Sequence, residues 1–258
     1  MEKGENFSIK YIKRELGKDK CDELDVYVFE IINREYLDIT EDNINLFKEN
    51  ISDFLGNITE DELLELRSYT GYYYKFINAI LRNNWDYEIN GKLDDNKKSE
   101  YYTRANKIRE IINKFPTLPV NFKTYRGVNL DPFKKYGIET IEDLIFMKDK
   151  LFYEEAFTST SIIKENCYFN KSLEYVNFAN ILIEYYIPEE SKDGALLIND
   201  FLSYSKGQTE YVLNSGSLTK IFDVTVSEDK KTAILKAALI PKSLWNKYEK
   251  ENENNLKK

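Results

Sequence analysis

The chain has 258 residues, 42% of them hydrophobic and 14% aromatic, which is too apolar for a disordered protein and long enough for one large domain or two small ones. Its net charge of -8 and pI near 5.0, with lysines matched locally by acids as in KRELGKDKCDE, argue against nucleic acid or an anionic membrane as the main partner. No histidine occurs, which removes histidine triads, histidine general bases and HExxH zinc sites, and Cys21 and Cys167 are too isolated for a CxxC metal or redox site.

The opening MEKGENFSIKYIKRE lacks an apolar h-region, so no signal peptide is expected, and no apolar run is long enough to span a membrane. Leu24, Val28, Ile31 and Ile32 recur at helical spacing. A second helix is expected to open at Thr40 and to carry Ile44, Phe47 and Ile51. Thr59 and Glu62 form a capping box ahead of LLELRSY. Gly71 is expected to separate that helix from YYYKFINAILR, whose apolar stripe is Tyr73, Ile77, Ile80 and Leu81. Positions 90–100, NGKLDDNKKSE, read as a polar loop, and YYTRANKIREIINKF resumes a helix that Pro116 and Pro119 end.

The second half changes character. TYRGV, EAFTSTSII, ANILIEYYIP, GALLI, TEYVL, LTKIFDVTV and TAILKAALI are short runs rich in β-branched and aromatic residues, separated by turns. They do not alternate with helices of crossover length, which argues against a doubly wound parallel sheet. The expected fold is α+β, a helical N-terminal half packed on a mostly antiparallel mixed sheet. One domain is expected over residues 1–246, with a helical lead over about 1–58 and a polar, fraying tail over 247–258.

Three places can carry chemistry. Arg126 lies near the end of the strand TYRGV, beside Gly127, which permits close backbone approach, and its guanidinium can fork onto a phosphate or carboxylate. Ser159-Thr160-Ser161 follow Phe157, and strand alternation sends Ser159 and Ser161 to one face and Thr160 to the other. In Gly207-Gln208-Thr209-Glu210 the alternation lets Gln208 and Glu210 share a side while Thr209 points away. Each has a plain alternative: a surface arginine, the polar side of a strand, an edge carboxylate.

In this order and strand context, the pieces resemble the mono-ADP-ribosyltransferase toxins of the Arg–Ser-Thr-Ser–Glu class, and the Gln-x-Glu loop is similar to that of the C3-like exoenzymes. The resemblance runs from about Leu63 to Leu239. It implies an enzyme of the ADP-ribosyltransferase fold that cleaves NAD, taken as substrate, with no metal. It assigns Glu210 to the 2′-hydroxyl of the nicotinamide ribose, Ser159 to holding Glu210, Thr160 and Ser161 to the strand and pocket floor, and Arg126 and Gly127 to the cofactor side. Tyr69, Asn78 and Arg82 match the family's upstream spacing, nine and then four residues apart. Asn78 and Arg82 are one helical turn apart and can reach one ligand, here the adenylate and phosphate side of NAD; a polar helix face is the alternative.

Gln208 offers a donor and an acceptor where arginine-modifying relatives carry Glu, which suits an amide acceptor. By resemblance the acceptor is an asparagine of a Rho-type small GTPase, read by Tyr204, Ser205 and Gln208. Two features depart from the family pattern. The aromatic expected three residues before the Gln is Ser205, with Tyr204 one step earlier, and the chain is acidic where the C3-like exoenzymes are basic and signal-bearing. The resemblance implies secretion and action in a host cytosol, with a separate translocating component as partner; action in the bacterial cytoplasm is the alternative. An NAD glycohydrolase using water as acceptor, and a binding module that kept the fold without catalysis, are the rival functions.

Overall fold

The computed structural model describes residues 3–4, 6–86, 90–167, 169, 179–197 and 209–245. Among these, helices α1 (Phe7–Ile32), α2 (Lys48–Asn57), α3 (Glu60–Ser68), α4 (Tyr74–Leu81) and α5 (Asp95–Ile112) precede the first strand. Asn6 caps α1 by accepting from the backbone N–H of Ile9 at 2.8 Å. The helix then bends at Gly17, where φ is 74° and no atom lies within 4 Å of a would-be Cβ. The glycine serves a left-handed backbone there, not close packing. Ile9, Leu16, Leu24, Val28 and Ile31 form its buried face.

Several boundaries depart from the sequence expectation for local reasons. The helix expected at Thr40 starts at Lys48, after a 3₁₀ turn at Ile44–Phe47. Asn43 Oδ1 accepts from the Thr40 N–H at 2.8 Å, and Ile39 bridges Ile163 of the sheet region, so the chain there is tied off as an extended turn. The Thr59–Glu62 capping box is present, with both reciprocal bonds formed.

Gly71 does not break the helix. A π-helical turn, Tyr69–Tyr73, carries the chain from α3 into α4. One glycine costs a helix only about 1 kcal/mol, and buried Tyr69, Ile77 and Ile80 on either side outweigh it. The loop expected over positions 90–100 is half helix, because Asp94 accepts from the Lys97 N–H at 2.8 Å and starts α5.

Strands β1 (Phe122–Val128), β2 (Lys150–Glu154), β3 (Thr158–Ser161), β4 (Ile181–Ile187), β5 (Gly194–Leu197), β6 (Glu210–Leu213), β7 (Ser217–Val226) and β8 (Ala233–Ile240) build one sheet in the order β2-β7-β8-β4-β1-β3-β6-β5. Among the described residues β4 and β8 pair in parallel and the other neighbours are antiparallel. The fold is thus the expected α+β arrangement. β2 is not among the expected strands; it is a five-residue edge strand with a charge at each end, which masks its alternation. One buried cluster joins Ile31, Phe54, Leu66, Ile77 and Ile108 of the helices to Phe122, Ile183, Tyr211 and Leu235 of the strands. Each such side chain stabilises the fold by about 1.5–3 kcal/mol when buried.

Candidate active site

Three adjacent strands, β1, β3 and β6, bring the sequence-selected groups together. Ser161 lies directly opposite Glu210, which makes Ser159 the diagonal neighbour of Glu210 on that face. The Ser159 hydroxyl donates to Glu210 Oε1. Glu210 is only 9% exposed, and burial raises its pKa above the ordinary carboxylate value; the Ser159 bond and the charge of Arg126 offset part of that rise. Arg126 sits half-buried in β1, with no hydrogen-bond partner for its guanidinium among the described residues.

The three hydroxyls of β3 divide their partners. Thr160 is buried and donates to the carbonyl of Tyr211 in β6 at 2.7 Å, while Ser161 donates to the carbonyl of Ile163 at 2.7 Å. Thr209, expected to point away, is a buried part of the same wall: its Oγ1 lies 3.2 Å from Ser161 Oγ and accepts from Asn166 Nδ2 at 3.3 Å. The residue precedes β6, so strand alternation does not govern it. Tyr204, Ser205 and Gln208 lie outside the described residues.

The opposite wall is the π turn and α4. Tyr69 is buried against Phe157, and its hydroxyl accepts from Asn78 Nδ2 at 3.4 Å. The same Nδ2 donates to the carbonyl of Phe157 at 3.3 Å, and the buried Asn78 Oδ1 has no partner among the described residues. Arg82 donates through Nε to Glu154 Oε1 at 2.8 Å. Burial pushes the Glu154 pKa up, but the charge and hydrogen bond of Arg82, with the charges of Arg126 and Lys135, together more than reverse this, and the carboxyl ends below its ordinary value. Sequence reasoning passes over Glu154. The signal available is an acidic doublet, Glu154-Glu155, immediately ahead of a hydroxyl-rich strand.

Both walls face one cleft of about 1010 Å³, lined by Tyr69, Asn78, Arg82, Arg126, Ser159 and Glu210, with Tyr74, Lys75, Cys167 and Thr209 beside them. That is room for a dinucleotide-sized ligand. Gly127 also lines it, yet a Cβ there would meet the Phe169 backbone nitrogen at 2.7 Å, so the space this glycine leaves is taken by a neighbouring segment of the chain. Neither Cys21 nor Cys167 forms a disulfide. Among the described residues no cluster of three or more His, Cys, Asp or Glu could hold a metal ion, and no helix is long and apolar enough to cross a membrane.

The profile of the ADP-ribosyltransferase exoenzyme family matches residues 9–242. No curated protein sequence matches the chain. Among solved structures, C3stau2 from S. aureus with NAD is similar at 18% identity and a TM-score of 0.60, over 81% of this chain and 100% of that one. The Clostridium limosum C3 exoenzyme gives 21% identity and a TM-score of 0.57, over 80% and 98%. BECa, an ADP-ribosylating toxin of a binary enterotoxin of C. perfringens solved with NADH, gives 20% identity and a TM-score of 0.60, over 80% of this chain and 50% of that one. At these identities the likeness is one of fold.

Proposed function

This chain belongs to the ADP-ribosyltransferase exoenzyme family and is an NAD–protein ADP-ribosyltransferase; from that premise we propose that Glu210, Ser159 and Arg126 carry the cleavage of NAD in the cleft between the sheet and α4. The observation that supports this most directly is the Ser159 hydrogen bond to Glu210 at the cleft wall, with Arg126 acting on the same carboxylate. As nicotinamide departs, the ribose carbon it leaves gains oxocarbenium character. An ionised Glu210 that accepts from the ribose 2′-hydroxyl stabilises that charge, and Ser159 fixes the carboxylate so that little reorganisation is needed at the moment of bond breaking. Arg126 and Arg82 offset the charge of the pyrophosphate. Asn78 Oδ1, a buried acceptor without a partner among the described residues, supplies a contact for a hydroxyl or amino group on the adenylate side.

The acceptor follows from the residue two before the catalytic carboxylate. Gln208 can both donate to and accept from a side-chain amide, and an asparagine of a Rho-type small GTPase fits that chemistry, with Tyr204 and Ser205 just before it in sequence. The likeness to the C3 exoenzymes supports the choice. The reaction is assigned to a host cytosol after secretion, with delivery by a separate translocating component; BECa, as part of a binary enterotoxin, supports that mode.

Glu210→Gln is expected to lower nicotinamide release by about 10²-fold or more, because an amide has no full charge to set against the cation. Release that continues unchanged would overturn the catalytic assignment. Mass spectrometry of labelled host protein checks the acceptor: linkage through arginine would remove the asparagine assignment. Free ADP-ribose with no labelled protein would instead mean that water is the acceptor.

A further inference from the structure

Behind the cleft wall lies a second buried carboxylate that the proposed mechanism leaves unused. Glu154 ends β2 and is 9% exposed. Its Oε1 accepts from Arg82 Nε at 2.8 Å and from the Ala156 backbone N–H at 3.2 Å. The pair is shielded, with side-chain exposures of 28% for Arg82 and 12% for Glu154, unlike surface pairs such as Lys134–Asp131 at 66% and 65%. Exposed pairs contribute little, but a buried pair fixes geometry, since losing one partner leaves the other charge stranded.

The way the guanidinium is held matters for what it can offer. Glu154 engages Nε, and neither terminal amino group has a hydrogen-bond partner among the described residues. Those two groups are the fork that binds a phosphate in bidentate fashion. Arg82 lines the cleft and Glu154 does not, so the carboxylate stands behind the arginine. A second tie, Asn78 Nδ2 to the Phe157 carbonyl at 3.3 Å, fixes α4 to the same β2–β3 connection. The short stretch from Glu154 to Ser159 therefore carries both the anchor of Arg82 and the holder of Glu210. It sets the phosphate grip in register with the catalytic carboxylate.

We propose that Glu154 is a positioning residue for NAD, presenting the terminal amino groups of Arg82 to the pyrophosphate and touching no ligand itself. The inference rests on the reading of this cleft as the NAD site. The test is steady-state nicotinamide release as a function of NAD concentration for Glu154→Gln, Arg82→Lys and the double variant, with Glu210→Gln as a control. Glu154→Gln keeps the shape and removes the charge. It is expected to raise KM for NAD about tenfold or more while kcat stays within about threefold, as for a lost binding contact and not a lost transition-state contact. Arg82→Lys should do the same, and the double variant should be no worse than Arg82→Lys alone, since both changes remove one coupled interaction.

A KM within about twofold of the parent in Glu154→Gln, or a double loss equal to the product of the single losses, overturns the proposal. A merely structural role also overturns it, and would show as a lower Tm and a lower kcat with KM unmoved. If Glu154→Gln does not fold, Arg82→Lys decides: it keeps a cation beside Glu154, and an unchanged KM there overturns the proposal equally. The control separates the two levels. Lost release in Glu210→Gln with an unmoved KM in Glu154→Gln defeats the positioning role alone, whereas retained release in Glu210→Gln defeats the reading of the site.

Discussion

Burial of the Glu210 carboxyl sets a cost against the function proposed for it. A carboxyl whose pKa is higher folded than unfolded binds its proton more tightly in the folded state. Its contribution to stability is therefore present below its ordinary value of 4.5 and is lost as pH rises through the raised value. When ionised, Glu210 destabilises the fold that holds it. Glu210→Gln should then raise Tm at pH 7, at about 2–4 °C per kcal/mol relieved in a chain of this size, and the gain should shrink toward pH 4; thermal unfolding at the two pH values checks it. Glu154 has the opposite sign. Its lowered pKa, with Arg82, Arg126 and Lys135 together outweighing burial, gives stability that is held above 4.5 and lost as pH falls through the folded value.

What the sequence reveals at this scale is chemistry carried by strand-borne side chains at fixed spacing: Arg126, the Ser159–Ser161 triplet and Glu210. It does not reveal Glu154, whose importance lies in a contact with Arg82 made 72 positions away. Nor does it place Thr209, which sits one residue ahead of the strand whose alternation would orient it.

Among the elements, the helical boundaries are most legible where a side chain caps the backbone. The Thr59–Glu62 box is visible in sequence and present in the fold, and Asp94 caps by the same physics from within a stretch whose polarity suggests a loop. Gly71 misleads for a different reason. The local penalty of one glycine is weak, and burial of the apolar residues on both sides of it is worth more. β2 escapes notice because a short edge strand needs little hydrophobic patterning to pair with its one neighbour, β7. Thr59→Ala, which removes the capping hydrogen bond of α3, should cost about 1 kcal/mol and lower Tm by about 2–4 °C. Because Thr59 lies away from the cleft-lining residues, KM for NAD should not move, and paired calorimetry and kinetics will show whether the two effects separate.

Across the whole molecule, the absence of histidine shapes the response to pH. No side chain of ordinary pKa titrates between about 5 and 8, so Tm should change by no more than about 2 °C between pH 6 and 8. It should fall below pH 4.5, where carboxylates held low by cations begin to protonate. Asp143, bonded by Lys3 and two backbone N–H groups, is pushed down to about 2, though its exposed lysine makes its share small. A fluorescence melt across pH 3 to 8 reads both limbs. For the same reason, an acid limb in kcat that lies above the ordinary carboxylate range is expected to belong to Glu210, whose pKa burial raises.

The two walls of the cleft come from segments far apart in sequence, α4 at Tyr74–Leu81 and the Glu210 strand at Glu210–Leu213. Pairings of such long sequence separation close only after most of the backbone has settled. A polypeptide still emerging from the ribosome holds the helical wall but no carboxylate to complete it. A fragment cut short before β6 carries Arg82 and Arg126 but lacks the carboxylate proposed to act in cleavage. The chemistry proposed for this cleft therefore cannot begin before β6 has been made.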